Sequence, residues 1–513
     1  MRRVCLLMST LLISLVLLGG VAAAFQPTPV GLFDGTGDVG AVKHEGAVVY
    51  NRVQQTYTIS GSGTNIWAHH DEFQFAWKEI AGDFILTADM ELQGEGVDPH
   101  RKIGWMIRTS LEDDSAYVDV AVHGDGLTSM QYRADKGGDT EELRSTVKAP
   151  NVVQLERRAG RFYMSVAKRG EAFTVSELVT VELPFKVYVG LFVCSHNADE
   201  VETARFSNVR ITRPAPFGLK QYSQYIGSRL EVMDVTTGHR RVLHTVADFL
   251  QAPNWSRDGK ALIYNRNGKL YRFDLASKAI EEINTDFADN NNNDHVISTD
   301  GKRIAISHHS KDHNGDSHIY VLPIEGGTPR LVTKRGPSYL HGWSPDDQWL
   351  VYTGGRDGGW DIYKTRADGS GDEVRLTTHG SLQDGSEFAP DGKRIFYTSS
   401  QTGAMEVWDM KPDGSDHKQI TNDRLNSWFP HPSPDGSKIV ILSFGSELAA
   451  NDHPFYEPVT LRLIDMENVA KGEVKPKIIA YLYGGQGTIN VPSWSPDGKS
   501  IAFVSNSIIE SEE

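Results

Sequence analysis

Trp494-Ser495-Pro496-Asp497-Gly498-Lys499 has five upstream counterparts in the chain. They are Asn254-Trp255-Ser256-Arg257-Asp258-Gly259-Lys260, Ser298-Thr299-Asp300-Gly301-Lys302, Gly342-Trp343-Ser344-Pro345-Asp346-Asp347, Phe388-Ala389-Pro390-Asp391-Gly392-Lys393 and Pro432-Ser433-Pro434-Asp435-Gly436. Successive aspartates stand 42, 46, 45, 44 and 62 residues apart. A period of roughly 40 to 45 residues is that of a β-propeller, with one four-stranded blade per repeat. Proline presets φ for the first turn position, aspartate tolerates the next, and glycine takes the left-handed site that closes a hairpin. Each turn leads into an alternating β-branched or aromatic run, such as Ala261-Leu262-Ile263-Tyr264, Ile395-Phe396-Tyr397 and Ile501-Ala502-Phe503-Val504.

The two ends of this region predict how the ring closes. The last turn is followed by a single strand, while Leu230-Glu231-Val232-Met233 and Arg241-Val242-Leu243 precede the first turn as an orphan pair. Together they make a sixth blade built from both ends, which leaves no open edge.

The remainder of the chain divides into three. Arg2-Arg3, the apolar run Leu6 to Val21 and Ala22-Ala23-Ala24 read as a signal peptide over residues 1–24, cleaved before Phe25. That implies a periplasmic or secreted protein with no membrane insertion once the signal is removed. Residues 30–212 carry short strands at turn spacings of about 8 to 15 residues with no convincing helix, which reads as an antiparallel β-sandwich. Thr212-Arg213-Pro214-Ala215-Pro216-Phe217-Gly218 opens a proline-rich linker over 213–221, and the propeller occupies 222–508. The fold class is therefore all-β.

Cysteine usage and charge exclude several functions. Cys5 lies in the leader and Cys194 alone remains, so no internal disulfide is available and Cys194 reads as a small core residue. The formal net charge is −15, and losing Arg2 and Arg3 takes it to about −17. Such acidity argues against nucleic acid or an anionic membrane as partner.

Two resemblances extend this reading. Gly61-Ser62-Gly63-Thr64-Asn65-Ile66-Trp67, Lys102-Ile103-Gly104-Trp105-Met106-Ile107-Arg108, Gln131-Tyr132-Arg133 and the run Tyr188 to Asn197 resemble a bacterial family of the concanavalin A-like lectin/glucanase superfamily, described as regulation-of-enolase-like. That resemblance implies a jelly roll with a carbohydrate- or surface-binding role. Residues 222–506, through the Trp-Ser-Pro-Asp-Gly-Lys phrase, resemble the six-bladed propeller of the TolB family. TolB carries a small α/β domain ahead of its propeller, and here the sandwich occupies that place. The chain contains no Gly-x-Ser-x-Gly elbow, so a propeller-linked serine peptidase is not expected. Oligogalacturonate lyases are also built from TolB-type repeats and carry histidines and a metal ion at the propeller centre. They have seven blades, so that likeness implies only a reaction class.

The residues just ahead of each innermost strand gather at one channel mouth, so positions four to seven before each repeat aspartate are compared in register. They supply His295, His341 and His431, the carboxylates Asp294, Asp384 and Glu387, and Asn254, Asn490, Tyr339 and Trp428. His295, His341 and His431 are candidate ligands for a divalent metal ion, and with Asp384 and Glu387 they form the candidate catalytic set. Asn254, Asp294, Tyr339, Trp428 and Asn490 are candidate ligand-binding residues, the two aromatics offering faces to a sugar ring. The alternative is a solvated rim of polar loop residues. Three functions follow: binding of an oligosaccharide or glycoconjugate, metal-assisted lyase or hydrolase chemistry, and a scaffold for envelope proteins. Gly484-Gly485-Gln486-Gly487 joins two strands and reads as a loop at the same mouth, and Asp289 to Asp294 reads as a polar turn.

Overall fold

A computed structural model describes residues 28–178 and 181–510. The leader expected over 1–24, with Cys5, lies outside the described residues. Within them the chain is almost entirely β, the exceptions being a 3₁₀ turn at Lys311–His313 and a six-residue helix, Met466–Lys471. Asp465 caps that helix by accepting from the Glu467 N–H, and Gly472 ends it in the left-handed region. Among the described residues no helix is long and apolar enough to cross a membrane.

The N-terminal part forms two seven-stranded antiparallel sheets. Period-two alternation sends Ile103, Trp105 and Ile107 of one sheet, and Leu86, Leu155 and Phe206 of the other, into one apolar core. The strand Lys102–Arg108 is buried on both faces. On its second face Asp71 takes Arg108 at 2.8 Å and Arg133 at 2.7 Å, with all three side chains fully buried. Cys194 is buried and free on that same face, and burial pushes its thiol up to about 11.

The C-terminal part is a six-bladed propeller. Five blades are four-stranded sheets in simple sequential order, beginning with Gln251–Trp255, Ala261–Arg266, Lys269–Asp274 and Ile280–Ile283. The sixth joins both ends: Gly227–Asp234 pairs with Arg240–Val246 on one side and with Ser500–Ser507 on the other. Trp494 bridges to Ile501 as its innermost residue.

In five of the six turns, all but the one with Ala389, the turn works through its serine. Ser256 Oγ donates to Asp258 Oδ1 at 2.6 Å and accepts from the Ala261 N–H at 2.9 Å, and Ser495 repeats this with Asp497 and Ser500. Glycine follows the aspartate with φ between 69 and 71° in five turns. In the third blade Asp347 holds that place at φ 57°, and its carboxylate accepts from the Thr299 and Asp300 N–H groups of the neighbouring blade's turn.

The two parts are docked. Glu231 of the propeller is fully buried between Arg210 of the N-terminal part, at 2.6 Å, and Arg240, at 3.0 Å. Ser505 Oγ also donates to it, at 2.5 Å. Gln55 makes two hydrogen bonds of 2.8 Å with the backbone of Val242, and Phe173 stacks on Tyr481 with ring centroids 4.0 Å apart.

Candidate functional site

The innermost strands are not regular. Pairing with the next strand shifts between Gln251 and Asn254, Asn291 and His295, Leu340 and Gly342, Asp384 and Glu387, and Trp428 and His431. Ala252, Gly385 and Phe429, each six residues before a repeat aspartate, take positive φ at these shifts. Such bulges re-aim side chains, so residues at the mouth end face a cavity while those beyond pack between blades.

That cavity has a volume of about 720 Å³. One wall is aromatic: Tyr225 stacks on Phe249 at 3.8 Å, and both meet Phe455 edge-on. Tyr222 and Tyr225 come from the segment joining the two parts of the chain, so that segment borders the cavity. Opposite stand Tyr339 and Trp360, with ring centroids 5.9 Å apart. Carboxamides fill much of the remaining lining, among them Gln251, Asn265, Asn291, Asn292, Gln486 and Asn490.

The floor carries the charge. His341 Nε2 donates to Asp384 Oδ1 at 2.8 Å, and Thr353 Oγ1 and the Gly385 N–H donate to the same oxygen at 2.7 and 2.8 Å. His453 Nε2 lies 3.8 Å from the other oxygen. Burial alone would raise the Asp384 carboxyl, but His341 outweighs it and holds the group well below the usual carboxylate range. Burial would lower His341, and Asp384 reverses that, so the imidazole is raised. Asp294 meets the amide of Asn292 at 2.6 Å; burial pushes its carboxyl up to about 6, with His341 pulling down and Asp384 pushing up. Burial takes the Tyr339 phenol up to about 12, aided by the two aspartates.

Of the residues read from the sequence, Asp294, Tyr339, His341, Asp384 and Asn490 line this cavity. The others do not. Asn254 ties blades together, donating to the Pro492 carbonyl at 2.7 Å and accepting from the Ile297 N–H at 3.0 Å. His295 is fully buried with Nε2 on the Ile263 carbonyl at 3.2 Å, and burial lowers it to about 4. His431 spends Nδ1 on Glu387, at 2.6 Å, and Nε2 on the Ile489 carbonyl. Burial raises the Glu387 carboxyl despite that partner. Trp428 is fully buried against the edge of His453, with ring centroids 4.3 Å apart, so it offers no face to a sugar and Phe429 takes its place in the lining.

The expected three-histidine metal set is therefore corrected: His295, His341 and His431 are each spoken for by a different partner. Among the described residues no three His, Cys, Asp or Glu side chains form a group that could hold a metal ion.

Sequence reasoning missed His453, Phe455, Trp360, His309, Tyr222 and Tyr225. The 62-residue interval between Asp435 and Asp497, against 42 to 46 elsewhere, signals the insertion that carries His453 and Phe455. The Asn290–Asn293 run, read as a polar turn, lines the mouth. In the N-terminal part Trp105 belongs to the core, while Trp67, His69 and His70 are exposed.

Residues 217–449 match the TolB beta propeller domain. An uncharacterized protein of Agrobacterium fabrum is 45% identical over 278 residues, 54% of this chain and 92% of its own. The solved structure of a putative TolB from Agrobacterium tumefaciens is 43% identical, covering 56% of this chain and all of its own, with a TM-score of 0.52. TolB from Acinetobacter baumannii is 16% identical, covering 65% of this chain and 80% of its own, with a TM-score of 0.40.

Proposed function

The chain belongs to the TolB-like β-propeller family, and from that premise we propose that it is an exported binding protein of the cell envelope or the extracellular space. Its ligand is a carbohydrate or glycoconjugate held at the propeller mouth. The N-terminal part is a concanavalin A-like jelly roll acting as an accessory binding module. One observation carries the reading: a cavity of about 720 Å³ that combines two aromatic walls with a dense set of carboxamides. Rings stack on aromatic faces while amides serve hydroxyl groups as both donors and acceptors, which is the chemistry of sugar recognition. Titration calorimetry after a glycan array tests it. Tyr339→Ala and Trp360→Ala each weaken binding of the best oligosaccharide by about tenfold, near 1.4 kcal/mol. An array on which no glycan binds saturably overturns the reading.

A second reading, a carbohydrate lyase or glycoside hydrolase, is favoured by the acid–base inventory of the floor. Asp294, raised to about 6, could hold or give up a proton beside the His341–Asp384 pair. Product release from an array-selected oligosaccharide, abolished in Asp294→Asn, would establish it; unchanged ligand after prolonged incubation would leave binding alone.

A further inference from the structure

The cavity floor is unbalanced in charge and in hydrogen bonding, and both imbalances have the same sign. The lining holds two carboxylates, Asp294 and Asp384, with no lysine or arginine. Asp384 is matched by His341 at 2.8 Å, with His453 at 3.8 Å from its other oxygen. Asp294 is hydrogen-bonded by the neutral amide of Asn292, and the His341 and His453 imidazoles act on it only at longer range. Buried charges are ordinarily paired directly, and a carboxylate whose hydrogen bond comes from an amide has room for a cation in contact.

Asn291 adds an independent pointer. Its Nδ2 donates to the carbonyls of Gly268, at 2.9 Å, and Ala288, at 2.7 Å, which fixes the orientation of the amide. Its Oδ1 is left buried without a partner, in a residue that lines the cavity and is only 5% exposed. An acceptor fixed in this way is left for a donor that the protein itself does not supply. The aromatic wall of Tyr225, Phe249 and Phe455 suits a cation as well as a sugar ring, since ring faces attract ammonium groups within about 6 Å.

Resting on the carbohydrate reading above, we propose that the mouth selects a protonated amine. Its ligand is an amino sugar, or a glycoconjugate bearing a free amine, whose ammonium group pairs with Asp294 and donates to Asn291 Oδ1 while the sugar ring stacks on the aromatic wall. The same floor repels uronates and other acidic sugars, for want of a basic side chain to meet them.

Calorimetry on the full chain at near-neutral pH tests this with five probes: β-1,4-linked tetramers of glucosamine, N-acetylglucosamine, glucose and glucuronic acid, and the plain polyamine spermidine. The glucosamine tetramer binds at least about tenfold tighter than its N-acetylated counterpart. Added salt narrows that gap in the wild-type protein. The near-isosteric Asp294→Asn variant, with an unchanged melting temperature, loses the preference for the amine. Equal affinity for amine and acetamide, or preference for the uronate, overturns the proposal while leaving the carbohydrate reading intact. Binding of spermidine with no sugar bound keeps the amine selection and overturns the carbohydrate reading. Binding of none of the five overturns both. The comparison of tetramers on the wild-type chain stands even if Asp294→Asn fails to fold.

Discussion

His295 and His341 occupy the same register position, five residues before a repeat aspartate, yet only His341 reaches the cavity. The register shift falls after Leu340 in one strand and ahead of His295 in the other, so equal spacing does not give equal orientation. Two extra residues enter the strand ahead of His295 and one at His341, each re-aiming the side chains around it, and nothing in the local composition marks where they sit. This is why Asp294, Tyr339, Asp384 and Asn490 were legible as mouth residues while Asn254, Trp428, Glu387 and His431 were misassigned by the same rule. Asp347 is a second case of one residue with two duties, holding positive φ and binding two backbone N–H groups of the neighbouring blade. Asp347→Ala removes both acceptors and puts a methyl-bearing residue in the left-handed region. It costs about 2 to 4 kcal/mol, read as a lower urea midpoint at constant m-value.

At the scale of the element, the turn was fully legible because its chemistry is local. Serine, aspartate and glycine lie within four residues of one another, and the hydrogen bonds that they make are the ones their spacing allows. Ring closure was legible for a related reason, since an orphan pair at one end and an orphan strand at the other must satisfy each other. Ser500–Ser507 pairs with Gly227–Asp234 along its whole length. A chain truncated before Ser500 exposes that strand's ladder groups as an unprotected edge. It is expected to lose the cooperative thermal transition of the propeller and to associate, checked by calorimetry and size-exclusion chromatography. A monomer with an undiminished transition would contradict this.

At the scale of the whole molecule, docking was not legible. Arg210, Glu231 and Arg240 sit on strands where charge ordinarily marks a solvent face, and their meeting depends on how two separately folded sheets approach. Burial by itself would raise the Glu231 carboxyl, but the two arginines outweigh it and hold it far below its usual value of 4.5. A depressed carboxyl stabilises the fold fully above that value and loses its contribution as pH falls below it. Glu231→Gln leaves two buried guanidinium groups without a counter-charge and costs about 3 to 5 kcal/mol at neutral pH. Its deficit in melting temperature against wild type shrinks as the pH is taken below about 4.5. A deficit that stays constant with pH would show that packing, not charge, is lost. Ser505 gives this cluster a place in time. It lies on the strand that completes the ring and also donates to Glu231. That strand is the last described strand of the propeller in chain order, so the ring closes only when it is in place, and the same strand then adds Ser505 to the two arginines that hold Glu231.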